Sequence, residues 1–115
     1  MAAKYNLTIP QGETYDLDLS LNRNDVDYDL TDCTIYGTIR DSYNAGSYTE
    51  FDIEYVSRNQ GKFRLKLNKE KSENLNPGNG VYDVVLHIPL EDDAEQVIRL
   101  LEGTAKITPA VTTQR

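Results

Sequence analysis

The sequence predicts an all-β fold, with two antiparallel sheets packed face to face. Three observations predict it: period-two alternation of apolar and polar residues, clusters of turn-forming residues at regular spacing, and no amphipathic helix of any length. Successive side chains of a strand point to opposite faces, so a strand with one dry and one wet face must alternate.

The elements follow in order. "NLTI" (6–9) is a short β-branched run that ends at the Gln11-Gly12 turn. "YDLDLSL" sets Tyr15, Leu17, Leu19 and Leu21 against Asp16, Asp18 and Ser20, and stops at the polar turn Asn22 to Asn24. "CTIYGTIR" (33–40) runs into the loop "DSYNAGSYTE", which turns at Ala45-Gly46-Ser47. "EFDIEYV" sets Phe51, Ile53 and Tyr55 against Asp52 and Glu54. Past Asn59-Gln60-Gly61, "KFRLKLN" sets Phe63, Leu65 and Leu67 against Arg64 and Lys66. "NKEKSENLNPG" (68–78) breaks the pattern and reads as one helical turn, with Leu75 tucked under the end of the sandwich. "VYDVVLHI" (81–88), the turn Glu91 to Asp93 and "VIRLLEGTAKIT" (97–108) complete seven or eight strands.

The stretch 68–78 is too long for a hairpin, which places strands 62–67 and 81–90 in opposite sheets. The layout is therefore an immunoglobulin-like Greek key, in which a tyrosine such as Tyr82 anchors the crossover by its hydroxyl. In the last strand Val97, Leu101, Ala105 and Ile107 share one phase. Arg99 shares it too, so phase leaves the facing of this strand open. Gly103 allows a bulge or a close approach there, and Pro109 ends the strand.

The 115 residues form one expected domain, 1–115, with short arms at both ends. No apolar run reaches the roughly 18 residues of a membrane span, so a membrane is not an expected partner. "MAAKYNLTIP" lacks the apolar core of a signal peptide, and synthesis and folding in a reducing cytoplasm are expected. A net charge of −7 repels phosphate backbones, which excludes nucleic acid from the expected partners.

Cys33, the sole cysteine, permits no internal disulfide and is expected as a small buried thiol. The sole histidine, His87, leaves too few ligands for most zinc sites and shares the strand phase of Asp83, facing outward. Asp25, Asp27 and Asp29 alternate as calcium ligands do. An EF-hand loop, however, needs Gly and an acid where this chain has Leu30 and Tyr36. Asp29 instead suits an Asx turn at Thr31. There is no Gly-x-Ser-x-Gly elbow and no phosphate-cradling glycine loop. The expectation is a protein that is not an enzyme, with no cofactor and no metal.

Tyr43, Asn44 and Tyr48 lie in a Tyr/Ser/Gly/Asn-rich loop like those of adaptable paratopes. It reads either as a contact loop for a protein or glycan, or as an ordinary hairpin loop. The N-terminal stretch Lys4 to Ile9 and the tail Ile107 to Gln114, with Thr108, Val111 and Thr112, are candidate arms for a neighbouring subunit.

Read together, "LTIPQGETYDLDLSL", "DYDLTDCTIYGTIRD", "GVYDVVLHIPL" and "VIRLLEGTAKITPAVT" resemble a small β-sandwich module of tailed-bacteriophage virion proteins. The resemblance spans Leu7 to Thr112. Such modules occur as stand-alone structural proteins and as attachment domains of baseplate and tail-tip proteins. The resemblance implies a non-catalytic virion structural protein, made in the host cytoplasm and docked to other virion proteins of capsid, neck, tail or baseplate, with a homo-oligomer possible. The alternative is a receptor- or glycan-binding module at a tail tip or capsid surface. The matching positions are Gln11, Gly12 and Thr14; Asp29, Leu30 and Thr31; Ile39 and Arg40; Tyr82; and Arg99 to Gly103. They imply fold-making roles: Gln11-Gly12 turns the chain, and Asp29-Leu30-Thr31 shapes the approach to the third strand. This chain has Asp32 where such modules commonly have glycine.

Overall fold

The structure is a computed structural model that describes residues 3–23, 25–42 and 46–111. It is an all-β sandwich of two packed sheets and one short helix. The seven strands expected from alternation all form, as β2 (Leu7–Pro10), β3 (Tyr15–Ser20), β6 (Thr34–Arg40), β8 (Asp52–Ser57), β9 (Lys62–Leu67), β10 (Gly78–Pro89) and β11 (Glu95–Thr108). Four short strands join them: β1 (Ala3–Lys4), the hairpin β4 (Asn22–Arg23) with β5 (Val26–Asp27), and β7 (Tyr48–Glu50).

One sheet has the order β1-β11-β10-β6-β7, with β2 also paired to β11. The other has the order β3-β9-β8. The chain passes from β9 to β10, between sheets, through the helix α1 (Lys69–Glu73), as the long 68–78 connection requires. Asn68 caps this helix by accepting from Lys71 N–H at 2.8 Å. With β3, β9 and β8 in one sheet and β6, β10 and β11 in the other, the connectivity is that of an immunoglobulin-type sandwich. The first strands lie parallel on β11 rather than beside β3.

The alternating residues meet between the sheets. Ile9, Leu30, Leu65 and Val84 have no exposed surface, and Leu7, Ile35, Ile39, Phe51, Phe63, Leu67, Tyr82, Leu86 and Ile107 are buried around them. Each large side chain buried this way stabilises the fold by roughly 1.5–3 kcal/mol. Cys33 is buried as expected, and burial pushes its thiol pKa up.

Two irregularities go beyond the alternation. Tyr48–Glu50 pairs with β6, whereas Asp52–Ser57 pairs with β9, so the chain changes sheets at the buried Phe51. Phe51 N–H donates to Gly37 O at 2.9 Å, and a Cβ on Gly37 would lie 2.9 Å from the Phe51 ring, so the corner needs glycine beneath it. In β11 the register skips a residue: Val84 faces Leu101 but Val85 faces Arg99. The extra residue, Leu100, makes a β-bulge that inverts the phase. Val97 therefore does not share the face of Leu101, Ala105 and Ile107. It pairs with His87 on the outer face and is 54% exposed, with Arg99 beside it.

Candidate docking surface

The residues that carry the motifs form three joints. At one end, Gln11 Nε2 donates to Glu73 O and Leu75 O, and Gln11 Oε1 accepts from Ala110 N–H. One side chain thus ties the first turn, the helix end and the C-terminal segment together. Gly12 takes a φ of 84°, which favours glycine, and its N–H donates to Ser72 Oγ at 2.9 Å. Ser72 is wholly buried and donates in turn to Pro10 O at 3.0 Å.

The second joint fastens the N-terminal stretch. Tyr82 Oη donates to Tyr5 O at 2.6 Å, Tyr5 N–H to Glu102 O, and Thr104 N–H to Asn6 Oδ1. A Cβ on Gly103 would lie 2.2 Å from Tyr5 O, so glycine is what admits the arm. Tyr82 anchors this arm, not the 68–78 crossover. Burial, with Tyr15 and Tyr5 nearby, pushes its pKa up to about 12; burial and Tyr5 raise that of Tyr15. Lys4 to Ile9 is thus part of the fold, with Leu7 and Ile9 in the core.

The third joint is the approach to β6. Asp29 Oδ1 accepts from Thr31 N–H at 2.9 Å and from Thr31 Oγ1, the expected Asx turn, and these bonds lower the Asp29 pKa. Leu30 is fully buried. Asp32 has a φ of 68°, a conformation that suits glycine and that Asp tolerates. Arg58 closes the joint: its Nη1 donates to Cys33 O at 2.8 Å and Leu30 O at 3.3 Å, and its guanidinium lies 3.7 Å from the Tyr55 ring centroid. Tyr55 Oη accepts from Ile35 N–H at 2.9 Å.

Ser72 and Arg58 were not singled out by the sequence, and Asn6 only as part of the arm Lys4 to Ile9, without its bond to Thr104. Each acts through a backbone group more than 20 residues away, which spacing does not reveal. Asp25 has a positive φ and Asp27 lies in the β4–β5 hairpin. Among the described residues no group of three His, Cys, Asp or Glu is placed to hold a metal.

The outward-facing candidates are dispersed. Tyr48 is 54% exposed, with the Arg40 guanidinium 4.9 Å from its ring centroid; Tyr43 and Asn44 lie outside the described residues. Thr108 pairs with Pro10, Val111 is exposed, and Thr112 lies outside the described residues. His87, on the outer face, packs edge-on against Tyr36 at 4.7 Å and sits 3.1 Å from Glu95. Four residues back along β10, around Asp83, a surface pocket of about 190 Å³ is lined by Thr38, Arg40, Asp83, Arg99 and Glu102, with Arg99 bridging Asp83 and Glu102.

The outer face of the three-stranded sheet is a ladder of charge. Basic Arg64 and Lys66 on the central strand stand across from Asp18 and Asp16 of β3 and from Glu54 and Asp52 of β8. Arg64 bonds both Asp18 and Glu54, and Lys66 bonds Glu54. The Asp18 bond raises the Arg64 pKa further. The chain matches no model of a known protein family, and no curated protein sequence matches it.

Proposed function

We propose that this chain is a non-enzymatic structural protein of a tailed-bacteriophage virion, docking to neighbouring virion proteins. The observation that carries the reading is the employment of the residues behind the resemblance. Gln11, Gly12, Asp29, Leu30, Thr31, Tyr82 and Gly103 all lie in the three joints that brace the sandwich. A sequence signature spent on bracing fits a scaffold, whose specificity lies in variable surfaces, better than an enzyme. The test is quantitative mass spectrometry of gradient-purified tailed virions from a culture that expresses the chain. A fixed copy number per particle supports the role, and absence from washed particles refutes it.

A second reading, a receptor- or glycan-binding module, is favoured by one observation. Tyr48 presents an exposed ring backed by Arg40, beside a shallow depression lined by Thr49, Glu50, Lys71 and Asn74. Saturable glycan binding lost in Tyr48→Ala would favour it over the scaffold.

A further inference from the structure

We propose that the free edge of β3 is a β-augmentation site for an extended segment of another polypeptide carrying Lys or Arg at alternate positions. The inference rests on the docking reading and names the edge and the chemistry of the partner.

Among the described residues no strand pairs with the outer side of β3. In an immunoglobulin constant-type sandwich the first strand covers this edge. Here the first strands lie on β11 instead, held by Tyr82, Asn6 and the space over Gly103. The consequence shows in burial: the inward residues Tyr15, Leu17 and Leu19 are half-buried, whereas Phe63, Leu65 and Leu67 on the adjacent strand are fully buried.

Backbone parity fixes what the edge offers. Leu21 N–H donates to Gly61 O, and the same register pairs Leu19 with Phe63 and Leu17 with Leu65 as hydrogen-bonded partners. The N–H and C=O groups of Asp16, Asp18 and Ser20 therefore point away from β9, toward the open side. Native edges are normally blunted by proline, charged side chains (lysine above all) or a bulge; β3 has no proline, lysine or bulge, and the charges it carries are the acidic Asp16 and Asp18. The other edge, β8, is protected: it bulges at the exposed Val56, and Tyr55 and Arg58 close the space toward β6.

Charge selects the occupant. The sheet already alternates acidic, basic, acidic across β3, β9 and β8. A strand added to β3 would set its outer side chains against Asp16 and Asp18, where cations are favoured and acids repelled. For the same reason a second copy of β3 is disfavoured, since it would bring two such rows together.

The test uses a seven-residue peptide alternating Lys or Arg with Val, and a control with Glu at the basic positions. The basic peptide is expected to bind, more weakly as salt rises, and to slow exchange of the Asp16, Asp18 and Ser20 amides. Asp16→Pro, which removes one outward N–H, is expected to weaken binding about tenfold or more. A basic peptide N-methylated on its docking edge should fail likewise on the unaltered protein, which guards against a misfolded variant. Asp16→Lys with Asp18→Lys should transfer preference to the Glu peptide. Equal binding of both peptides, or binding that leaves the three amides unprotected, overturns the proposal. In particles, Asp16→Pro assembling at the unaltered copy number overturns the edge while leaving the virion role. Absence of the unaltered chain from virions overturns that role instead.

Discussion

Gly103→Ala isolates the joint that diverts the first strands to β11. The added Cβ would stand 2.2 Å from Tyr5 O, 2.9 Å from Tyr5 C and 3.1 Å from Asn6 Oδ1. Ordinary C···O contacts begin at about 3.3 Å, so the arm must retreat by roughly an ångström. Three bonds fail together: Tyr5 N–H to Glu102 O, Tyr82 Oη to Tyr5 O, and Thr104 N–H to Asn6 Oδ1. At about 1 kcal/mol net each, the loss is about 3 kcal/mol. Gly103 is not at positive φ, so alanine returns up to about 1 kcal/mol by restricting the unfolded chain. The expected net loss is about 2 kcal/mol in urea unfolding, with faster hydrogen exchange at Tyr5 and Thr104. Gly46→Ala, with nothing within 4 Å of the new Cβ and no positive φ, is the control and should be neutral or stabilise by up to about 1 kcal/mol through the same restriction of the unfolded chain. If Gly103→Ala matches that control and both amides stay protected, the joint as described is wrong.

Other outcomes follow from the same geometry. Ser72→Ala leaves Gly12 N–H and Pro10 O without their partner in a buried site and should cost about 2 kcal/mol in urea unfolding. Arg58→Ala should cost about 2 kcal/mol by freeing two carbonyls and the Tyr55 ring face, and Arg58→Lys should recover only part of it. Tyr82 has a folded pKa of about 12, above the ordinary 10, so its contribution is intact below pH 10 and is lost as pH rises toward 12; Tyr82→Phe should flatten that stretch of an alkaline stability curve. Asp32→Gly should be neutral to stabilising by up to about 1 kcal/mol, because φ is 68° there, whereas Asp32→Val should destabilise by more than about 1 kcal/mol in chemical denaturation.

The sheet faces were legible in the sequence because alternation is a local signal. Tyr15 to Leu21 and Phe63 to Leu67 carry it without interruption, and both strands form with the expected facing. The long 68–78 connection likewise announced a change of sheet, and Leu75 is buried as that reading requires. The Asp29–Thr31 turn was legible because donor and acceptor are two residues apart.

What the sequence concealed depends on long-range geometry. The bulge at Leu100 is one residue in an otherwise regular run, and only pairing with β10 reveals that it turns Val97 outward. Tyr48–Glu50 and Asp52–Ser57 read as one loop and one strand because the change of sheet at Phe51 leaves no turn residue behind. The direction of the first strands was equally hidden: Gly103 was visible as a point of close approach, but not what approaches it. That choice decides which edge stays open, so the candidate surface emerged from the topology rather than from the tyrosine loop.

The most direct test of the docking account is a photo-crosslinking amino acid installed at Ser20, on the open edge of β3, in phage grown with the altered chain. Mass spectrometry of purified particles is expected to find Ser20 joined to an extended, Lys- or Arg-alternating segment of a different virion protein. Particles that contain the chain but give no crosslink from position 20 to another virion protein would contradict the edge, and particles that lack the chain would contradict the virion role itself.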